Sequence, residues 1–531
     1  MLHVRHGSSF PFILNLAISA STLYSDIYNS QIMTITVGGS MKIKLNRQSD
    51  QTLIHQISNI MTEKIRSGFL QEGSQLPSIR SFSKENQVSP VTISKAYALL
   101  ERNGYIQVVH GKGAFVRKNE LGSIHVSQRN YNWQLAIPDY IQRSQSMLNK
   151  GTEYALKFSS ATIHPGLLPS VYLTNEIVAI LLADPQIVTR YGAVQGDEDV
   201  RKAIRDYVQK YGDIETTPQE IIVTNGVQQG IDVVARTFIG PGDIVITEAP
   251  TYTAAIDVFR NRGAHIIPIP VDAEGMQTTI LATLCLSKQP KLIYTNPTFQ
   301  NPTGTVLSET RRRELLDLAQ QYGFLIVEDD SWNEIYFDDN PPPPTLKALD
   351  ESGHVIYLKG FSKSLAPSCR IGAIISNGTV HQRLLSAKSF ADSGNPLLTQ
   401  KALIPFLRSE RMHVHLEKLR IALEVRRDQT IAILNKYAPQ GVTWMEPKGG
   451  LNIWVSLPSN GNTDELLFKA QQAHITFLPS SACYPGEPQY HHMRISYSYP
   501  EPHELEQGVM KLCQIMHTYL QENRNIDRTN H

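Results

Sequence analysis

The stretch Tyr357 to Gly372, YLKGFSKSLAPSCRIG, carries a serine and a lysine, Ser362 and Lys363, at the end of an apolar strand-like run, with Arg370 seven residues beyond the lysine. A lysine amine becomes a nucleophile towards an aldehyde when its surroundings lower its pKa. A phosphorylated aldehyde such as pyridoxal phosphate also needs hydroxyl and cationic ligands for its phosphate. Lys363 meets the first need; Ser362 and Arg370 meet the second. A lone Ser-Lys pair on a turn is ordinary surface, so the reading depends on what else the chain brings to the same place.

The sequence around this stretch alternates helical patterns with short apolar runs: EIIVTN, DIVITEA, HIIPIPV, KLIYTN, FLIVED, HVIYLKG and RIGAIIS. Such alternation predicts a mostly parallel sheet covered by helices, with ligands at the carboxyl ends of the strands. The unusual residues cluster at those ends. NGVQQG, Asn225 to Gly230, follows a strand and opens a helix, aiming the N–H groups of Val227 and Gln228 at an anion. EAPTY sets Tyr252 after the next strand, where its ring could stack on a pyridine. NPTFQNPTG presents Asn301 on a turn set by Pro302 and Gly304. FLIVEDD ends in Asp329, a carboxylate able to keep a pyridine nitrogen protonated, and Asp330 could serve instead. HHMRISYSY puts Arg494 inside a strand, a costly place for a guanidinium unless a carboxylate meets it.

These elements occupy only part of a 531-residue chain, which predicts at least two domains. Apolar content of 41% with 19% charge is that of an ordinary soluble protein, and four scattered cysteines suit a reducing compartment, the cytoplasm, without a disulfide framework or metal site. The net charge of +1 hides an asymmetry, because residues 41–118 hold twelve Lys and Arg against five Asp and Glu. That end is fit to meet a polyanion. Residues 1–45 read as an extension. Its opening resembles a secretory leader, but the apolar run FPFILNLAISA is short for a membrane span and broken by Asn15, so Met41 is the expected start and no membrane partner is expected. Residues 119–155 read as a linker with scattered aromatics, and residues 521–531 as a frayed polar tail.

Between them, residues 46–118 carry three helix patterns. TLIHQISNIMTEKIR is the first; Ser78 caps a second, and Ser89 a third with Pro90 at its first position. Two strands, Tyr105 to Val109 and Ala114 to Arg117, follow and form a wing through Gly111 and Gly113. GFLQEGSQLPSIRSFSKENQVSPVTISKAYALLERNGYIQVVHGKGAFV resembles the GntR-type winged helix along its length, which implies DNA binding as a dimer. By position, Arg80 is then a DNA contact, Thr92 and Lys95 lie on the recognition helix, and Gly113 is at the wing tip. Pro90 stands where many relatives have an arginine.

Taken in order, NGVQQG, PTY, QNPTG, VEDD, FSK with Arg370, and RISYSY resemble fold-type I aminotransferases, and the fold class expected is therefore a winged helix-turn-helix followed, at 156–520, by an α/β aminotransferase-like domain with a smaller C-terminal α+β part. The resemblance implies pyridoxal phosphate in aldimine linkage to Lys363, Asp329 on its ring nitrogen, Asn301 on its hydroxyl and Tyr252 stacked. It also places Val227, Gln228, Ser362 and Arg370 on the phosphate, Arg494 on a substrate carboxylate, and Tyr191 on the phosphate of the partner in a homodimer. Two departures stand out: Ser331 and Trp332 replace a tyrosine that donates to the ring hydroxyl, and Gly360 replaces a serine or threonine. The combination resembles the MocR group of transcription regulators. It implies a DNA-binding regulator that senses an amine or amino acid through Lys363, the alternative being a working aminotransferase with an accessory DNA-binding module.

Overall fold

The computed structural model describes residues 41, 43, 45, 52–66, 70, 73–109, 112–117 and 156–529. They fall into two compact units divided after position 138. Among the described residues no helix is long and apolar enough to cross a membrane. Residues 1–40 and the expected linker at 119–155 lie outside the described residues.

The N-terminal unit has helices Leu53–Arg66, Ile79–Asn86 and Pro90–Arg102, then strands β1 (Ile106–Val109) and β2 (Gly113–Val116), paired antiparallel. The Ser78 hydroxyl accepts from the Ser81 N–H and the Ser89 hydroxyl from the Thr92 N–H, so each helix starts where its cap stands. Ile57, Met61, Phe82, Ile93, Leu100 and Val116 form the core, and the buried Tyr97 hydroxyl donates to the Pro77 carbonyl at 2.9 Å. The expected boundary at residue 46 falls too late. Met41 is buried in this core, its N–H donates to Glu85 Oε2 at 2.6 Å, and the Ile43 N–H donates to Asn86 Oδ1 at 2.7 Å. Backbone groups paired this way belong to the unit and not to an extension.

The C-terminal unit is built on an eight-stranded sheet with strand order β4-β11-β10-β9-β8-β5-β6-β7. After the short β3 (Leu156–Lys157) these strands are β4 (Ile221–Thr224), β5 (Ile244–Ala249), β6 (His265–Asp272), β7 (Gly275–Met276), β8 (Leu292–Thr295), β9 (Leu325–Asp330), β10 (Val355–Gly360) and β11 (Gly372–Ile375). All seven apolar runs read from the sequence are strands of this one sheet. β10, β9, β8, β5 and β6 run parallel, and β11 runs against both its neighbours. Strands buried on both faces need continuous apolar sequence, as β4 (IIVT) and β8 (LIYT) show.

A second sheet of β12 (Thr443–Trp444), β13 (Asn452–Ser456), β15 (Leu478–Pro479) and β16 (His492–Ser496) forms the smaller part. Chain order does not foretell one pairing: β3 lies parallel to β14 (Ile475–Thr476), which ties the first residues of the unit to its end. The last helix runs Pro502–Thr529, so positions 521–529 of the tail expected to fray continue this helix, and positions 530–531 lie outside the described residues. The segment QENRNIDRT holds neither glycine nor proline to stop it.

Candidate functional site

The site lies at the carboxyl ends of β4, β5, β8, β9 and β10, where the end of each strand or the loop after it presents a reactive residue. β10 delivers the turn with Lys363, whose Nζ donates to the Ala161 carbonyl at 2.7 Å. Burial and the nearby Arg494 and Arg370 guanidiniums lower its pKa to about 8, against the pull of Asp329. β9 ends in Asp329 and Asp330, and consecutive strand residues face opposite ways. Asp329 Oδ2 accepts from the Tyr294 hydroxyl at 2.5 Å and Oδ1 from the Ser331 hydroxyl at 3.1 Å. Burial raises its pKa to about 6, and those two hydrogen bonds hold it from rising further. Asp330 is engaged elsewhere: it accepts from the Tyr357 hydroxyl and from the N–H groups of Trp332 and Asn333. Of the two carboxylates, Asp329 is the one whose charge reaches Lys363.

The anion end is built around Gly226. The helix Val227–Phe238 starts there with no side-chain cap, which leaves the first helical N–H groups to an anion. Gly226 has φ +82°, and a Cβ on it would stand 2.7 Å from Arg370 Nη2. Only glycine leaves room for that guanidinium. Arg370 itself takes a left-handed conformation, φ +53°, and donates to Ser362 Oγ at 3.3 Å and to the Asn225 carbonyl at 3.1 Å. Val227, Gln228, Ser362 and Arg370 therefore meet in one cradle. The Tyr252 hydroxyl donates to Gln228 Oε1 at 3.2 Å, and burial pushes its pKa up to about 12.

Arg494, on β16, is 5% exposed, and its charge reaches Lys363 and Tyr252. It donates through Nη1 to Asn301 Oδ1 at 2.7 Å and through Nη2 to the Ser159 carbonyl, while its Nε has no hydrogen-bond partner. No Asp or Glu among the described residues pairs with it. A buried guanidinium with one idle donor and no counter-carboxylate fits a ligand that brings its own. Arg370 and the uncapped helix start fit a phosphate, and Asp329 fits a ring nitrogen, so the residues present suit a phosphorylated pyridine aldehyde at Lys363.

Tyr191 stands apart, 89% exposed and outside this cluster. Sequence reasoning did not find a further phenol of the site. Tyr294, from the neighbouring β8, brings a phenol to the site, and it holds the Asp329 carboxylate. The Trp332 indole turns away to donate to the Phe299 carbonyl at 2.9 Å. Gly360 has a steric reason: a Cβ there would stand 2.9 Å from Val227 Cγ2. The carbonyls of Ser159 and Ala161 were also missed, since a backbone carbonyl has no residue signature.

On the N-terminal unit, Arg80 and Lys95 are exposed, while the Thr92 hydroxyl lies 2.8 Å from Ser89 Oγ and so shares in the helix cap. Gly113 has φ +109°, and a Cβ on it would meet Gln75 Nε2 at 2.8 Å.

Comparison with known proteins matches a family to each unit. The profile of the aminotransferase class I and II family matches residues 163–512, and that of bacterial regulatory proteins of the gntR family matches residues 53–116. The chain is 34% identical over 330 residues to aromatic-amino-acid aminotransferase 1 of Thermococcus litoralis, covering 61% of this chain and 79% of that one. It is 29% identical over 471 residues to the uncharacterised HTH-type transcriptional regulator YisV of Bacillus subtilis, covering 87% and 96%. Among solved structures, the α-aminoadipate aminotransferase LysN of Thermus thermophilus, complexed with N-(5'-phosphopyridoxyl)-L-leucine, superposes with a TM-score of 0.68 at 26% identity, over 73% of this chain and 99% of that one.

Proposed function

The chain belongs to the aminotransferase class I and II family, whose members depend on pyridoxal phosphate, and it carries a gntR-type helix-turn-helix domain; from this we propose that it is a DNA-binding transcription regulator whose aminotransferase-like domain senses an amino acid or related amine. The observation that carries the sensing half is Arg494, buried beside Lys363 with an idle Nε and no carboxylate opposite. Lys363, an amine kept partly uncharged by burial, would hold the cofactor through its aldehyde, and the cofactor would supply a carbonyl open to exchange with an incoming amine. In this reading Asp329 would hold the ring nitrogen, Asn301 the ring hydroxyl and Tyr252 the ring face, while Arg370, Ser362 and the Val227 and Gln228 N–H groups would hold the phosphate. Tyr191 reaches the phosphate of a second subunit in a homodimer.

A ligand carboxylate competes with the Ser159 carbonyl for Arg494, and a change at Lys363 competes with its bond to the Ala161 carbonyl. Both carbonyls lie among the first described residues of this unit. Contacts that differ between the two states are what coupling to DNA requires. Arg80, Lys95, Thr92 and the wing at Gly113 contact the operator in this reading, which places the protein in the cytoplasm. Borohydride reduction of the holo protein followed by peptide mapping tests the site: the label belongs on Lys363, and a label on Lys359 overturns the assignment. Steady amino-acid turnover that survives deletion of residues 41–118 would favour a plain aminotransferase.

A further inference from the structure

Behind the site, on the face of the sheet opposite Asp329, a second lysine sits in a closed polar network that the cofactor reading does not use. Lys359 is 1% exposed and stands in register with Asp330 across β10 and β9. Its Nζ donates to Glu334 Oε2 at 2.6 Å and to Asn333 Oδ1 at 2.7 Å, and lies 3.6 Å from Asp330 Oδ1. The other oxygen of Glu334, Oε1, accepts from the Ser364 hydroxyl at 3.1 Å and from the Tyr207 hydroxyl at 2.7 Å. One carboxylate thus holds residue 359 on one side and residue 364 on the other, bracketing the turn that carries Lys363.

We infer that Lys359 and Glu334 are positioning residues for Lys363: Glu334 clamps both ends of its turn, and Lys359 balances Glu334 and Asp330 so that Asp329 is the carboxylate left to act on the site. The inference rests on the reading of Lys363 as the cofactor lysine. A buried carboxylate pair without a cation is strongly disfavoured, and its charge would act on every titrating group nearby. Among the described residues no other cation is in hydrogen-bond contact with these two carboxylates; the buried Arg312, 3.8 Å from Glu328, and Glu328 itself act on Asp330 only through their charge. The helix around Tyr207 brings that phenol and Tyr211; the helix Glu410–Tyr437 brings Arg420, which donates to the Glu334 main-chain carbonyl at 2.8 Å, and His415, which bonds the Ser364 carbonyl. β10 adds the Tyr357 hydroxyl, which donates to Asp330 at 2.6 Å. Consistent with this, Lys359 lowers the pKa of Asp329 through the sheet while Asp330 raises it.

The sign of the effect separates positioning with charge balance from a merely structural ion pair. Full-length protein loaded with pyridoxal phosphate is titrated with pH, and the midpoint of the cofactor's visible absorbance change is compared among wild type, Glu334→Gln, Lys359→Met and the double variant. Removing the anion lowers the midpoint and removing the cation raises it, each by on the order of half a pH unit or more for a single charge acting through an interior of effective dielectric about 20. The double variant returns close to wild type. Should Lys359→Met alone fail to fold, adding it to Glu334→Gln still raises the midpoint. Ser364→Ala, which loosens the clamp without changing charge, weakens cofactor binding several-fold and leaves the midpoint in place. Shifts of the two single variants in the same direction, or none, overturn the inference. A wild-type protein with no cofactor absorbance at Lys363 overturns the reading of the site itself.

Discussion

A lysine attacks an aldehyde only as the free amine, and the ordinary lysine pKa leaves little free amine at neutral pH. Burial and two guanidiniums bring Lys363 to about 8. Cofactor uptake by the apo protein should therefore accelerate roughly tenfold per pH unit below about 8 and level off above it. Stopped-flow absorbance measures this, and a rate flat between pH 6 and 8 contradicts the assignment. Lys363 and Asp329 could be singled out in the sequence only by their company, the ordered motifs NGVQQG, PTY and QNPTG at the ends of other apolar runs. Tyr294 could not, because a tyrosine in LIYT looks like any core aromatic until its hydroxyl is placed 2.5 Å from Asp329. Lys359 was hidden for a related reason: its partners Glu334 and Asn333 come from another strand's loop, and only the register of β9 and β10 brings them together.

The strands that place these residues were readable as seven apolar runs, since burial on both faces leaves no room for polar alternation. The pairing of β3 with β14, and the inclusion of Met41 and Ile43 in the N-terminal core, were not readable. Both depend on contacts between distant segments that carry no periodic pattern. At the strand-to-helix turn of Gly226, backbone conformation and space both exclude a side chain. Gly226→Ala should displace Arg370 and weaken pyridoxal phosphate binding at least tenfold, about 1.4 kcal/mol, with the global fold retained. Equilibrium dialysis of cofactor, alongside circular dichroism, checks this. Undiminished affinity would mean that the cradle is not the phosphate site.

The whole molecule joins a basic N-terminal segment, with twelve Lys and Arg against five Asp and Glu, to a family of cofactor-dependent domains. DNA affinity should reside in that segment and fall steeply with salt, with a log-log slope of about −0.9 per phosphate contact. Arg80→Ala, if it removes one such contact, makes the slope shallower by about that amount. A slope unchanged by the substitution would remove Arg80 from the interface. The central claim is that the cofactor site governs the DNA-binding end, and coupling between two sites typically amounts to ~1 to 3 kcal/mol. The most direct measurement is the affinity of holo protein for a duplex selected for binding to it, with and without a saturating amino acid that demonstrably changes the cofactor absorbance. The account predicts a shift of about five-fold or more, abolished in Lys363→Ala while basal DNA binding remains. Equal affinity in the two conditions would contradict it.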